Sequence, residues 1–190
     1  GQPVVVDNKP GPSTNLAAEL VARAPADGHT ILLTSDSTFS INPHLFSKLP
    51  YSDKDFTPVT QLILLQQVML ANPSLPVKNV TELVSLARAK PGTLNYGSYG
   101  TGSQPHLAGE MLKYKAGIDI VHVPYKGLTL AIPATIAGEI QLTFSGIASA
   151  RPQVESGRLK ALAIGGPKRS PLMPDVPTFA EEGIMGFDVA

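Results

Sequence analysis

The chain has 190 residues, 43% of them hydrophobic and 16% charged, with fifteen Lys and Arg against fifteen Asp and Glu and no Cys or Trp. That length suits one large domain or two small ones, and the low charge favours a packed core over disorder. Balanced charge argues against a polyanion partner. The lack of Cys excludes disulfides, thiolate metal sites and a Cys nucleophile, and no apolar run reaches the roughly 18 residues that span a bilayer.

The chain opens on Pro3-Val4-Val5-Val6-Asp7, a β-branched run that predicts a buried strand. It has no initiator Met and no signal peptide, and its end reads as the middle of another element. A processed or truncated chain is therefore expected. A helix is predicted over 16–24, with Ser13, Thr14 or Asn15 as cap, and a second strand over 30–34. A polar loop, Ser35-Asp36-Ser37-Thr38, and a short helical turn over 42–46 follow. The apolar stretch 59–71 reads as strand, bend, strand, with a helix as the alternative.

Asn79-Val80-Thr81-Glu82 resembles a capping box and opens a helix that Pro91-Gly92 stops. Beyond it the pattern predicts a strand over 94–97, a Gly/Ser/Thr loop over 98–103 and a helix over 104–116 with Pro105 in its first turn. A strand over 118–123, a helix over 130–137 disturbed by Pro133, a strand over 140–144, a short helix over 148–156 and a strand over 159–164 complete the order. This β-α-β-α rhythm implies a mostly parallel sheet with helices on both faces.

The strongest chemical feature is Gly97-Ser98-Tyr99-Gly100-Thr101-Gly102-Ser103-Gln104-Pro105-His106. Its glycines let backbone N–H groups approach a ligand, Ser98, Thr101 and Ser103 add hydroxyls, and the helix start that follows favours an anion. A carboxylate or phosphate suits it; so does an ordinary strand–helix turn with no ligand. No Lys follows the glycines as a P-loop needs, Pro105 breaks the dinucleotide spacing, and neither Ser98 nor Ser103 has the Gly two residues earlier that a nucleophile elbow needs.

The four His, at 29, 44, 106 and 122, lack metal-ligand spacing. His106 follows the loop and reads as a cap, a packing residue or a ligand contact, while His122 reads as a strand residue. Tyr125 and Lys126 stand between a strand and a helix, where one could line a cleft and the other steer an anion, or both form a plain turn. Ser35, Ser37 and Thr38 lie beyond a strand end, as a Ser turn or as hydroxyls for the same cleft. No acid/base dyad is visible.

Several stretches, in order, resemble the tripartite tricarboxylate transporter receptor family, the extracytoplasmic solute receptors of Bug or TctC type. They include Gly1-Gln2-Pro3-Val4-Val5-Val6-Asp7-Asn8-Lys9-Pro10-Gly11, Ala26-Asp27-Gly28, Ile41-Asn42-Pro43 and Leu94-Asn95-Tyr96-Gly97-Ser98. Gly102-Ser103, His106-Leu107-Ala108-Gly109-Glu110, Val121-His122-Val123-Pro124-Tyr125-Lys126-Gly127 and Pro174-Asp175-Val176-Pro177-Thr178 continue the series.

The resemblance implies a two-lobed, Venus-flytrap periplasmic-binding-protein fold of type II-like α/β architecture. It implies a periplasmic receptor that delivers a small carboxylate to membrane permease subunits, without catalysis, cofactor, metal, nucleic acid or membrane insertion of its own. On this reading 1–65 belongs to the first lobe and 72–160 forms the second, with 161–190 returning to the first. The candidate ligand-binding residues are Ser35, Ser37, Thr38, Ser98, Tyr99, Gly100, Thr101, Gly102, Ser103, His106, Tyr125 and Ser145.

The chain also departs from the family pattern. The family's first strand, glycine-rich first loop and first helix would precede residue 1, and its closing helices would follow residue 190. Ser145 stands where the family often has Asp, which argues against an amino-acid ligand. Tyr99 would narrow the cleft, Pro133 is unusual in its helix, and Asp36 would repel an anion if it points inward. Two other readings stay open: a receptor whose binding is weakened by truncation, and a serine-dependent hydrolase using Ser98 or Ser103 with His106 as base.

Overall fold

The computed structural model describes residues 1–9, 14–63 and 65–188. It divides into two compact units, 1–61 and 62–190, each described by itself.

The first unit is helical where it is regular. Helix α1 (Asn15–Ala22) and the helical turns α2 (Ser37–Ser40) and α3 (Asn42–Leu45) are followed by a 3-10 turn at Asp53–Asp55. Thr14 stands at the N-cap of α1, whereas Ser13, the other candidate cap before Asn15, lies outside the described residues. Phe39, Tyr51 and Phe56 meet edge to face at 5.0–6.4 Å. The Tyr51 hydroxyl lies 2.8 Å from Asn15 Oδ1 and 3.0 Å from the Thr38 carbonyl, so it ties the ring cluster to α1 and α2.

The strands expected over 3–7 and 30–34 do not form. Val4, Val5 and Val6 are 79–88% exposed, and Ile31 and Leu33 are similarly open. An apolar run becomes a strand only where a neighbouring backbone completes its ladder, and no ladder partner stands beside these runs among the described residues.

The second unit is built on five strands in the order β3-β2-β4-β1-β5: β1 (Gln67–Ala71), β2 (Asn95–Ser98), β3 (Val121–Pro124), β4 (Leu142–Gly146) and β5 (Lys160–Ile164). The sheet is mixed rather than mostly parallel. Strand β2 runs parallel to β3 and β4, but β1 is antiparallel to both β4 and β5. The chain enters the sheet at Gln67, opposite Gly146 at the end of β4, so the first residue of β1 lies on the edge where the parallel strands finish. Among the described residues of the apolar stretch 59–71, only Gln67–Ala71 form a strand, and all five are buried.

Helices α4 (Val80–Ala89), α5 (Gln104–Ala116), α6 (Leu128–Ala137) and α7 (Ile147–Glu155) cover the sheet. On one face Met69, Tyr96, Leu142 and Phe144 pack with Leu83, Ala87, Ala108 and Leu112 of α4 and α5. On the other, Val68, Leu70 and Ile164 pack with Ile132 of α6 and Ala150 of α7. Each fully buried large apolar side chain is worth about 1.5–3 kcal/mol relative to exposure. Asn79 caps α4 as expected, its Oδ1 accepting from the Glu82 amide at 2.8 Å. Residues 161–188 group with the second unit. They contribute most of β5 and stack Phe179 and Phe187 against Phe144.

Candidate glycine-loop site at the carboxyl edge of the sheet

Strands β2, β3 and β4 end on one edge, at Ser98, Pro124 and Gly146, where open α/β sheets place ligands. The glycine loop leaves β2 there. Gly100 (φ 128°) and Gly102 (φ 82°) adopt conformations that side chains disfavour, so the bend needs glycine at both places.

The loop is closed largely on itself. Gly100 N–H donates to Ser98 Oγ (3.0 Å), Ser103 N–H and Oγ both donate to the Gly100 carbonyl (3.2 and 2.6 Å), and Gly102 N–H donates to His106 Nδ1 (3.1 Å). Three amides expected to face a ligand are therefore engaged within the loop. The N–H groups of Thr101, Gln104 and His106 have no protein acceptor among the described residues. Two of these belong to the first turn of the 13-residue α5, where the helix dipole adds to their pull on an anion.

A column of polar rings supports the loop. Ser98 is fully buried and its Oγ lies 2.6 Å from His122 Nε2. The imidazoles of His122 and His106 stand 4.2 Å apart, and the Tyr96 ring lies 5.1 Å from that of His122. Tyr96 donates its hydroxyl proton to Glu110 Oε1 at 2.7 Å, and Lys113 Nζ donates to the same oxygen at 3.1 Å.

Burial pushes both imidazoles down, His122 to about 4, with His106 contributing to the fall at His122. Burial and the neighbouring Glu110 carboxylate push the Tyr96 phenol up. Burial alone would raise Glu110, but hydrogen bonds from Tyr96 and Lys113 outweigh it and hold its carboxyl below the usual range. The column thus has two neutral imidazoles over an ionised carboxylate at neutral pH.

The other predicted residues are placed unevenly. Tyr99 and Thr101 are exposed on the loop. Tyr125 donates its N–H to the Ser98 carbonyl at 2.9 Å, and its ring packs beside Gly97 on the α6 face. Ser145 is buried and pairs with Val68, a residue of the α6/α7 cluster, so it lies on the face opposite α5; its Oγ lies 3.3 Å from the Gly146 carbonyl. Ser35, Ser37 and Thr38 belong to the first unit. Ser35 and Ser37 share a hydroxyl contact of 2.5 Å, while buried Thr38 lies 2.6 Å from the hydroxyls of both Thr14 and Thr34. Asp36 is exposed.

Two neighbours of the loop escaped the sequence reading. His122 looked like a strand residue, although its alternation with Val121 and Val123 is what turns its ring toward α5 beside Tyr96. Gln67 lies at the same edge, 97% buried, with its Nε2 donating to Gln104 Oε1 at 3.2 Å; only the antiparallel entry of β1 brings it there. Among the described residues no three His, Asp or Glu side chains gather as a metal set. Two open surface hollows, of about 470 and 370 Å³, lie around Arg169 and Met173. Their walls do not include the glycine loop. The loop stands where the parallel strands end, so it is the better candidate.

The family model described as "Tripartite tricarboxylate transporter family receptor" matches residues 1–190. A UPF0065 protein of Bordetella pertussis is 37% identical over 183 residues, covering 96% of this chain and 57% of the relative. BugT of the same organism is 33% identical over 189 residues, covering 98% and 58%. This chain therefore spans rather less than two thirds of the curated relatives it matches.

Among solved structures, an R. palustris protein with adipate superposes with a TM-score of 0.89 at 35% identity, covering 97% of this chain and 62% of that one. MatC from Rhodopseudomonas palustris with bound malate gives 0.83 at 35% identity, covering 94% and 61%. The periplasmic binding protein BugD gives 0.79 at 30% identity, covering 97% and 62%. The α/β fold is that of these periplasmic binding proteins.

Proposed function

We propose a function from one premise: the chain belongs to the tripartite tricarboxylate transporter receptor family. It acts as an extracytoplasmic solute receptor that captures a small mono- or dicarboxylate and hands it to the permease subunits of a tripartite transporter. The observation that carries this reading is the start of α5, where the amides of Gln104 and His106 stand without protein acceptors beside the glycine-shaped bend. Relatives solved with adipate and malate support an organic diacid.

Within this reading Thr101, Gln104 and His106 offer N–H groups to one carboxylate. Ser98, Gly100, Gly102 and Ser103 shape the loop. Tyr99 and Tyr125 flank it. Ser98 does touch an imidazole, that of His122 rather than His106, but its hydroxyl is enclosed and already engaged. That burial favours a structural Ser over the nucleophile of a hydrolase.

The test is Gln104→Pro in the protein at its natural length. Proline is tolerated at the first helical position, so the change deletes one amide proton and leaves the helix. A charge-assisted hydrogen bond of about 1.5–3 kcal/mol is lost, which is a drop of roughly tenfold or more in affinity for malate, succinate or adipate by calorimetry. Gln104→Ala, which keeps the N–H, should bind within about threefold of the parent. Equal loss in both variants, or no heat from any acid with the parent protein, refutes the assignment.

A further inference from the structure

The ring column beneath the loop has a consequence for when the loop can hold its shape. Gly102 N–H donates to His106 Nδ1 at 3.1 Å. That bond needs a bare lone pair on Nδ1, so the ring is the neutral tautomer carrying its proton on Nε2. Protonation of Nδ1 would set one N–H against another, and the Gly102 amide would have to turn away.

Ser98 Oγ, which receives the Gly100 amide, lies 2.6 Å from His122 Nε2. That contact survives either protonation state, because the hydroxyl can donate or accept. The two imidazoles nevertheless stand 4.2 Å apart, so two cations there repel and a proton on one discourages a proton on the other. His106 also sits in the first turn of α5, at the positive end of the helix dipole, which opposes an imidazolium further. The titratable groups facing the pair are Glu110 and Lys113 from α5 and Tyr96 from β2. Lys113 already pairs with the Glu110 carboxylate, so much of the negative charge that could welcome a second proton is neutralised.

We propose that His106 is a positioning residue for the carboxylate loop, holding Gly102 only while its imidazole is neutral, so that ligand capture weakens as His106 takes up a proton in acid. His122 assists by fixing Ser98. The inference rests on the carboxylate reading of the same loop. A bound carboxylate would itself attract an imidazolium, so the sign of the effect is the informative measurement. The collision of two donors in a half-buried loop outweighs attraction between charges partly open to water.

The experiment compares the parent protein with His106→Asn at natural length, using the tightest binder of malate, succinate and adipate. Asn keeps an acceptor near the place of Nδ1 but does not titrate. Protonation of the acid affects both proteins alike, so only the ratio of affinities at pH 7.5 and 4.5 within each protein is compared. The parent ratio should exceed that of His106→Asn by about tenfold. Parallel profiles, or a parent that tightens in acid relative to the variant, overturn the proposal.

A second measurement needs no ligand and no variant. The Gly102 amide resonance and the His106 ring nitrogens of the parent should move together with one midpoint as pH falls. A Gly102 amide that stays put while His106 protonates overturns the coupling. If no acid binds at any pH, the functional reading fails while this titration still decides the role of His106.

Discussion

Gly109→Ala sets two physical effects of opposite sign against each other. Gly109 lies inside α5, and a Cβ there would meet Cε2, Cζ and Cδ2 of the Tyr96 ring at 2.1, 2.3 and 2.7 Å. Reaching ordinary contact needs a retreat of about 1.3 Å, and the ring has no room for it. Tyr96 is fully buried, flanked by His122 and tethered through its hydroxyl to Glu110. Overpacking of this kind costs roughly 1–3 kcal/mol, and breaking the Tyr96–Glu110 hydrogen bond adds about 1. Helix propensity alone favours Ala over Gly by about 1 kcal/mol. The net expectation is a loss of about 1–3 kcal/mol, or roughly 2–12 °C in Tm for a chain of this size. Thermal unfolding followed by circular dichroism reads the sign directly. A variant as stable as the parent, or more so, would mean that propensity wins and that Gly109 is not a contact glycine. Tyr96→Leu removes the ring atoms that collide, so the double variant should be more stable than the sum of the two single losses.

The remaining predictions concern pH and the exposed apolar runs. Both imidazoles of the column are depressed in the fold, so the unfolded chain binds more protons as pH drops below the ordinary His value near 6.5. Stability is full above that value and falls towards pH 4. The His122 shift, halved because the ring is partly open to water, amounts to about 1–2 kcal/mol, and Glu110 extends the loss to lower pH in the same direction. Urea midpoints at pH 7 and 4.5 check it: no fall, or the same fall in His122→Gln, contradicts the assignment. Val5→Lys, Ile31→Lys and Leu33→Lys should each change stability by no more than about 0.5 kcal/mol, because these side chains are 88, 74 and 78% exposed. Losses of several kcal/mol in denaturant titrations would instead favour the buried strands that the sequence suggests.

Those same segments mark the limit of what the sequence makes legible. The pattern Val4-Val5-Val6 is strand-like by composition, but strand formation depends on a partner that composition does not encode. Elements whose signals are local came through well. Asn79 caps α4, Gly117 ends α5 with φ 59°, and the glycine loop leads into α5 as its spacing implies. Strand direction did not come through, because a β-α-β rhythm predicts parallel neighbours and β1 arrives from the first unit without a crossover helix of that kind. That one reversal explains why Gln67 was overlooked, because only an antiparallel β1 begins at the edge where β4 ends. Ser145 falls on the far face from α5 because it alternates with Phe144, which packs on the α5 face. His122 was missed for a related reason. Its role depends on which face of β3 meets α5, and only the register of Tyr96 against His122 settles that.

The glycines of the loop invite the inference that their own amides would hold an acid, and under the proposed carboxylate reading the work divides differently. Gly100 and Gly102 supply the backbone angles, and their N–H groups are spent on Ser98 and His106. What they create is a bend that delivers the chain into α5, where the amides of Gln104 and His106 have no protein acceptor among the described residues. A donor fixed in the first turn of a 13-residue helix is better preorganised than one on a mobile glycine bend, because the helix has already restricted its torsions. The division also explains why polar side chains crowd beneath the loop. Each internal hydrogen bond there removes a competing conformation of the bend, and the imidazole that does so at Gly102 is the one group in the set whose acceptor disappears on protonation. A loop that bound the acid through its glycine amides alone would have no such dependence, which ties the shape of the site to the charge state of one side chain.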